Sequence, residues 1–305
     1  MNTSHTAQSR VVATIPVGVR PVGVAVDVHD RVFVTNSGTH TVSVIDSRTD
    51  TVSTAIGVGP RPEGVATDPQ VGVCVANGGN GTMTVIDKSN IVIGTVGIGG
   101  PLLPSFTMTG VAVDHQLGRA YVANRGGRRV WTIRISGALP PFAHDFVEVP
   151  DPLDVAVDPT SHRVYVTQPG LHTVSVIDPA DDEVVRVIPV SERPAGIAVD
   201  APRHRAYVAG SGSATVCVID TVTGGVTGTD VAPGPVDVAV DSRGDAYVTQ
   251  SDGTVTVIDA VSHGVSATVP VGSHPRGLAF EPHSGRVYVA NSGDGTVSVI
   301  DPTGG

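Results

Sequence analysis

Residues 23–27 read Gly-Val-Ala-Val-Asp, residues 32–36 Val-Phe-Val-Thr-Asn and residues 41–46 Thr-Val-Ser-Val-Ile-Asp. Each run is short, rich in β-branched residues and closed by a turn former, the composition of a strand packed on a pleated surface. The same three runs return along the whole chain. The first ends at Asp27, Asp68, Asp114, Asp158, Asp200, Asp241 and Glu281; the third ends at Asp46, Asp87, Arg134, Asp178, Asp220, Asp259 and Asp301. The middle run carries Phe33, Cys74, Tyr121, Tyr165, Tyr207, Tyr247 and Tyr288 at one position, which accounts for all five tyrosines. A fourth, weaker strand follows, as in Val-Val-Arg-Val-Ile-Pro-Val at 184–190.

Four short strands in a unit of about forty residues, repeated seven times, specify an all-β seven-bladed propeller with four-stranded antiparallel blades. The units begin near residues 21, 62, 108, 152, 194, 235 and 275 and form one domain over 1–305. The last unit stops soon after Asp301 and lacks its fourth strand. Val-Val-Ala-Thr-Ile-Pro-Val at 11–17 matches the missing piece. One blade is therefore expected to be closed by the N-terminal strand pairing with the C-terminal unit, which covers edges that would otherwise recruit other chains.

Hydrophobic residues make up 40% of the chain, charged residues 16% and aromatics 4%, with 37 glycines. The interior must then be built from Val, Ala and Ile. A net charge of −10 without any basic run argues against nucleic acid or an anionic membrane as partner. Cys74 and Cys217 fall in the second and fifth units, too far apart for a disulfide, and are expected to be free and packed. The first ten residues lack a basic region followed by an apolar stretch, and no apolar run approaches the ~20 residues of a membrane span. These features lead to the expectation of a cytoplasmic protein, monomeric or homodimeric.

The second strands carry a family likeness. Val-Thr-Asn at 34–36, Tyr-Val-Ala-Asn at 121–124 and 288–291, and Tyr-Val-Thr-Gln at 165–168 and 247–250 resemble the YVTN family of β-propeller repeat proteins, over residues 11–303. The resemblance implies the propeller fold. It is nearly silent on function, because family members include surface-layer, periplasmic and binding proteins, many of them exported.

A repeat supplies its own control: whatever recurs is scaffold, and whatever breaks the pattern is a candidate for function. The strand-end aspartates recur and are read as turn caps; the tyrosines are read as core with satisfied hydroxyls. Loops joining strands two and three, and those leading from one blade to the next, should share one face around the channel mouth, here called the top. Three irregularities map to it. Residues 99–109, Gly-Gly-Pro-Leu-Leu-Pro-Ser-Phe-Thr-Met-Thr, form an apolar insertion that is either a pocket wall or packing over a neighbouring blade. The third blade's loop, Asn124-Arg125-Gly126-Gly127-Arg128-Arg129, is basic where other blades are neutral, with Arg61 and Glu63 next to it and Trp131 one strand later. Finally, where blades one, two, three and seven have Gly in the first strand and end the second in Asn, blades four and six have Asp154 and Asp237 with Gln168 and Gln250, and Asp–Gln hydrogen bonds are expected. Phe142–Glu148 alternates faces and is read as blade three's outer strand, packing or contacting a second copy.

His40, His172 and His274 fall on separate top-face loops, and no Cys/His spacing suits a metal. Neither a phosphate-binding glycine loop nor a serine nucleophile elbow is present. No cofactor is implied. Fold analogy with propeller cyclases and lyases, including Pictet–Spengler-type condensation, suggests an acid/base enzyme acting on a carboxylate-bearing organic molecule at the channel mouth. In that reading Glu63, Asp154 and Asp237 are the acid/base candidates, Arg61, Arg125, Arg128 and Arg129 hold the carboxylate, and Phe106, Met108 and Trp131 flank the substrate. The alternatives are a non-catalytic scaffold that grips a peptide or partner protein, or an exported envelope protein.

Overall fold

In the computed structural model, which describes residues 9–98, 108–136 and 141–303, the chain forms seven four-stranded antiparallel sheets and almost no helix. Six blades are sequential meanders: β2–β5 (Pro21–Gly57), β6–β9 (Pro62–Gly97), β10–β13 (Met108–Glu148), β14–β17 (Val155–Pro189), β18–β21 (Pro194–Asp230) and β22–β25 (Pro235–Pro270). The seventh contains β26, β27 and β28 (Pro275–Asp301) and takes its fourth strand from the other terminus, β1 (Arg10–Pro16). Ile15 lies opposite Val297 in that pairing, and the Ser9 hydroxyl donates to the Pro302 carbonyl at 3.3 Å. The ring is thereby closed by hydrogen bonds between the two ends of the chain.

Seven apolar clusters fill the spaces between adjacent blades. Phe33 and the repeated tyrosines sit at the same place in each second strand, and all are fully buried. The aromatic on one blade meets small β-branched residues of the next: Phe33 packs with Val65, Val73 and Val75. Burying a side chain of that size contributes roughly 1.5–3 kcal/mol, so the repeated position is a main source of blade-to-blade cohesion. Cys74 and Cys217 are buried and free. The strand-end carboxylates cap turns as expected; Asp68 Oδ1 accepts the Gln70 and Val71 amides, both at 2.7 Å, and Glu281 plays the same part for His283 and Ser284.

The first strands line the centre of the ring, each touching the first strand of the next blade. Most of them depart from the ladder near their top end, between Pro21 and Val24, Pro62 and Val65, Pro194 and Ile197, and Pro275 and Leu278. A bulge frees two residues from strand pairing and turns them elsewhere. Here it turns them toward the channel.

Candidate functional site at the channel mouth

The bulged pairs form the wall of a central cavity of about 200 Å³. At the lower level sit Gly23, Gly64, Gly110, Gly196 and Gly277, interrupted by Asp154 and Asp237; Glu63 and Arg276 belong to the level above. Above these again, the residue before each first-strand proline adopts the left-handed conformation: Arg20 (φ 54°), Arg61 (φ 48°), Asp151 (φ 51°), Arg193 (φ 52°) and His274 (φ 51°). At Arg20, Arg61, Arg193 and His274 the backbone carbonyl accepts an amide from the adjacent loop, from Ser37, Gly78, Ser211 and Ser292 in turn; at Asp151 the carboxylate takes the Gly170 amide instead. Arg20, Arg61 and Arg193 thus set three cations on the rim, beside the carboxylate of Asp151, in a protein of net charge −10.

Three threonines tie this region together. Thr35 Oγ1 donates to the Glu63 carbonyl at 2.7 Å, Thr167 Oγ1 to Ala195 at 2.8 Å and Thr249 Oγ1 to Arg276 at 2.8 Å, each reaching the first strand of the following blade. Thr35 also accepts the Gly23 amide at 2.8 Å. The threonine of the Tyr-Val-Thr motif thus positions the residue that faces the cavity in the next blade.

Asp154 and Asp237 are half-buried in the narrow wall. Asp154 accepts the Ile197 amide of blade five at 3.1 Å, and Asp237 accepts the amide of Val238 at 2.8 Å. The expected Asp–Gln bonds are not made. Gln168 instead turns outward, accepting from Thr173 and Ser175 and donating to the Pro150 carbonyl, while Gln250 donates to Thr256. The reason lies in the register: Asp237 stands opposite Thr249 and Asp154 bonds with Thr167, one residue short of the glutamines, so alternation sends the glutamine side chains to the other face. Desolvation pushes the Asp154 carboxyl up to about 6; desolvation, and then the charge of Asp154, push Asp237 up to about 8. Two carboxyls that share one poorly hydrated channel cannot both ionise easily, so the pair retains a proton well above the usual carboxylate range.

Glu63 lies in the same wall, with its carboxylate 3.5 Å from the Arg61 guanidinium. Burial raises its pKa, opposed by Arg61, Arg276 and Arg20. A carboxyl with this balance can exchange a proton with a bound molecule under mild conditions.

The structure brings Glu63, Asp154 and Asp237 to one cavity and sets Arg61 on its rim. Arg125 stands on the rim beside blade four, where it pairs with Asp151 (Nη2 to Oδ2, 3.2 Å). Arg128 occupies a left-handed turn position and is exposed. Arg129 and Trp131 are not among the cavity residues: the Arg129 guanidinium stacks 3.9 Å over Phe146, and Trp131 packs against the same ring at 5.2 Å. Their alternation along β12 (Arg129–Arg134) sets them against the outer strand β13 (Phe142–Glu148), which forms as expected. Phe106 and most of the 99–109 insertion lie outside the described residues. Met108 opens β10, and Thr109 and Gly110 at the insertion's end line the cavity, Thr109 Oγ1 donating to the Leu153 carbonyl. Arg276 was absent from the sequence-based candidates. Aligning the seven residues that precede the lower level (Val22, Glu63, Thr109, Leu153, Ala195, Val236, Arg276) marks it beside Glu63 as the other charged outlier. Among the described residues no cluster of His, Cys, Asp and Glu suits a metal ion.

Solved structures share this architecture. A Kuenenia stuttgartiensis hydrazine synthase chain superposes with a TM-score of 0.80 at 20% identity, over 92% of this chain and 95% of the other. Virginiamycin B lyase from Staphylococcus aureus superposes with a TM-score of 0.80 at 13% identity, over 94% and 98%, and a streptogramin B lyase with 0.79 at 13% identity, over 93% and 94%. At such identities the likeness is one of fold. Among curated proteins no match to this chain is found. The model of the Choice-of-anchor I domain matches residues 153–305, just over half of the 305 residues, and the chain belongs to that family of β-propeller proteins.

Proposed function

We propose that this protein binds a carboxylate-bearing small molecule at the top mouth of its channel and acts on it as a cofactor-independent acid/base enzyme of the lyase or cyclase type. The observation that carries the reading is Glu63: a half-buried carboxyl in the cavity wall, raised by desolvation and restrained by Arg61, Arg276 and Arg20. Arg276 and Arg61 are placed to take the substrate carboxylate by charge-assisted hydrogen bonds, with Arg125 and Arg128 farther out on the rim. Glu63 would remove or return the proton, and the Asp154–Asp237 pair would supply a carboxyl that stays protonated near neutrality. Two of the structural neighbours are lyases by name, which supports the reaction class by analogy alone.

The test is a turnover screen of carboxylate-bearing metabolites with wild type and Glu63→Gln. The variant should keep binding within a few-fold and lose turnover by about 10²–10⁴, the usual contribution of a positioned acid or base. Wild-type turnover by Glu63→Gln would remove Glu63 from the chemistry.

A further inference from the structure

Two loops of the top face carry the same His–Arg device, and they differ in the residue that faces the central cavity beside it. In the first, His40 Nδ1 accepts the Arg61 amide at 3.1 Å, and the Arg61 guanidinium pairs with Glu63. In the second, three blades on, His172 Nδ1 accepts the Arg193 amide at 3.0 Å. Arg61 and Arg193 have the same left-handed backbone, each precedes a proline, and each is followed two residues later by a residue of the central cavity wall. That residue is Glu63 in one case and Ala195 in the other. Among the described residues no carboxylate lies within ion-pair distance of the Arg193 guanidinium, which is exposed and borders a second cavity of about 430 Å³ together with Arg125, Leu153, Pro169, His172, Pro194 and Ser211.

We infer that this second cavity is a carboxylate-binding site, in which an organic acid supplies to Arg193 the carboxylate that Glu63 supplies to Arg61. The charges present select the ligand. Arg125 is neutralised by Asp151, whose carboxylate also takes the Gly170 amide at 2.7 Å. His172 Nδ1 is occupied as an acceptor, so its ring hydrogen sits on Nε2 as a donor. Among the residues that line the cavity one net positive charge remains, on a planar fork beside an imidazole N–H. That matches a flat monoanion better than a phosphate dianion. Leu153, Pro169 and Pro194 give the cavity an apolar wall, so the acid should carry an apolar body. Leu153 also lines the central cavity, which makes the two spaces neighbours. The inference rests on reading the mouth as a place for carboxylate-bearing molecules, but on no chemistry at Glu63.

Benzoate is the probe, followed by calorimetry and by the imidazole NMR signals of His172, with inorganic phosphate as the second arm. Benzoate should shift the His172 signals saturably, Arg193→Gln should weaken its binding at least tenfold, and phosphate should bind more weakly than benzoate. Ala195→Glu, which installs the arrangement of blade two, should block benzoate while keeping the wild-type melting temperature. Unmoved His172 signals, equal benzoate affinity in Arg193→Gln, or tighter binding of phosphate would each overturn the assignment. So would loss of benzoate binding in Arg276→Gln but not in Arg193→Gln, which places the carboxylate in the central cavity. Whether Glu63→Gln turns over substrate is read separately, so failure of the acid/base reading is distinguishable from failure of this one.

Discussion

A Cβ built on Gly196 would lie 2.1 Å from Oδ1 of Asp237, so the aspartate of blade six occupies the space that the glycine of blade five leaves open. Gly110 stands in the same relation to Asp154, at 2.4 Å. At the other glycines of this level the close neighbour is the next blade's backbone, Glu63 O at 2.4 Å from a Cβ on Gly23 and Thr109 O at 2.5 Å from one on Gly64. Gly196→Ala should therefore destabilise the fold by about 1–3 kcal/mol through overpacking. Combining it with Asp237→Gly should recover only part of the loss, because the same Cβ would also stand 2.6 Å from the Asp237 Cα; a double-mutant cycle in denaturant would measure the side-chain share.

The Asp154–Asp237 pair gives stability a defined pH dependence. Both carboxyls are raised in the folded state, so the native protein binds more protons than the unfolded chain between about pH 4 and 8. Stability from this pair is fully present below the unfolded carboxylate pKa and is lost as pH rises through the folded values. Asp237→Asn should flatten that limb and melt higher than wild type at pH 9, by the equivalent of about 1 kcal/mol or more. Thermal melts of both proteins from pH 4 to 9 provide the check, and parallel curves would mean that the carboxyls are not strained by the channel.

Thr249 accepts the Asp237 amide at 3.1 Å and donates to the Arg276 carbonyl at 2.8 Å. Thr249→Val keeps the shape and leaves both partners unsatisfied, and should cost about 1–3 kcal/mol. Because Arg276 stands on the tied strand, the same variant should also weaken ligand binding at the mouth. Ser175→Ala, which removes one of two donors to Gln168 in a wall remote from the cavity, should lower stability without changing binding.

The architecture was legible because each blade repeats a short local signal: a strand, a capping carboxylate, an aromatic, a strand. Even the closure by β1 followed from counting strands. The site was legible only in part. Glu63, Asp154 and Asp237 broke the repeat at channel-facing positions and were visible for that reason. Arg129 and Trp131 broke it too, but strand alternation carries them beside Phe146, Trp131 packing against the apolar cluster between blades two and three, away from the channel. The Asp–Gln pairing failed because the aspartates stand opposite Thr167 and Thr249, one residue short of the glutamines, and alternation then puts the two side chains on opposite faces. Arg193 was hidden because arginine before proline recurs in three blades; its neighbour Ala195 is what sets it apart.

The closure of the ring by the two termini should be essential. Removing residues 1–16 strips β28 of its partner and exposes an unpaired edge. That protein should melt at least several degrees lower and elute as aggregates in size-exclusion chromatography. A shortened chain that stays monodisperse at the wild-type melting temperature would show that the seventh blade is stable with three strands.

The central claim is that a small carboxylate-bearing molecule binds at the channel mouth. Its most direct test is an NMR titration of the isotope-labelled protein with whichever acid the turnover screen selects. The account expects saturable shifts of the Gly64 and Gly277 amides, with those of the outer strands unchanged. Shifts confined to the outer strands or to the opposite face of the ring would contradict it.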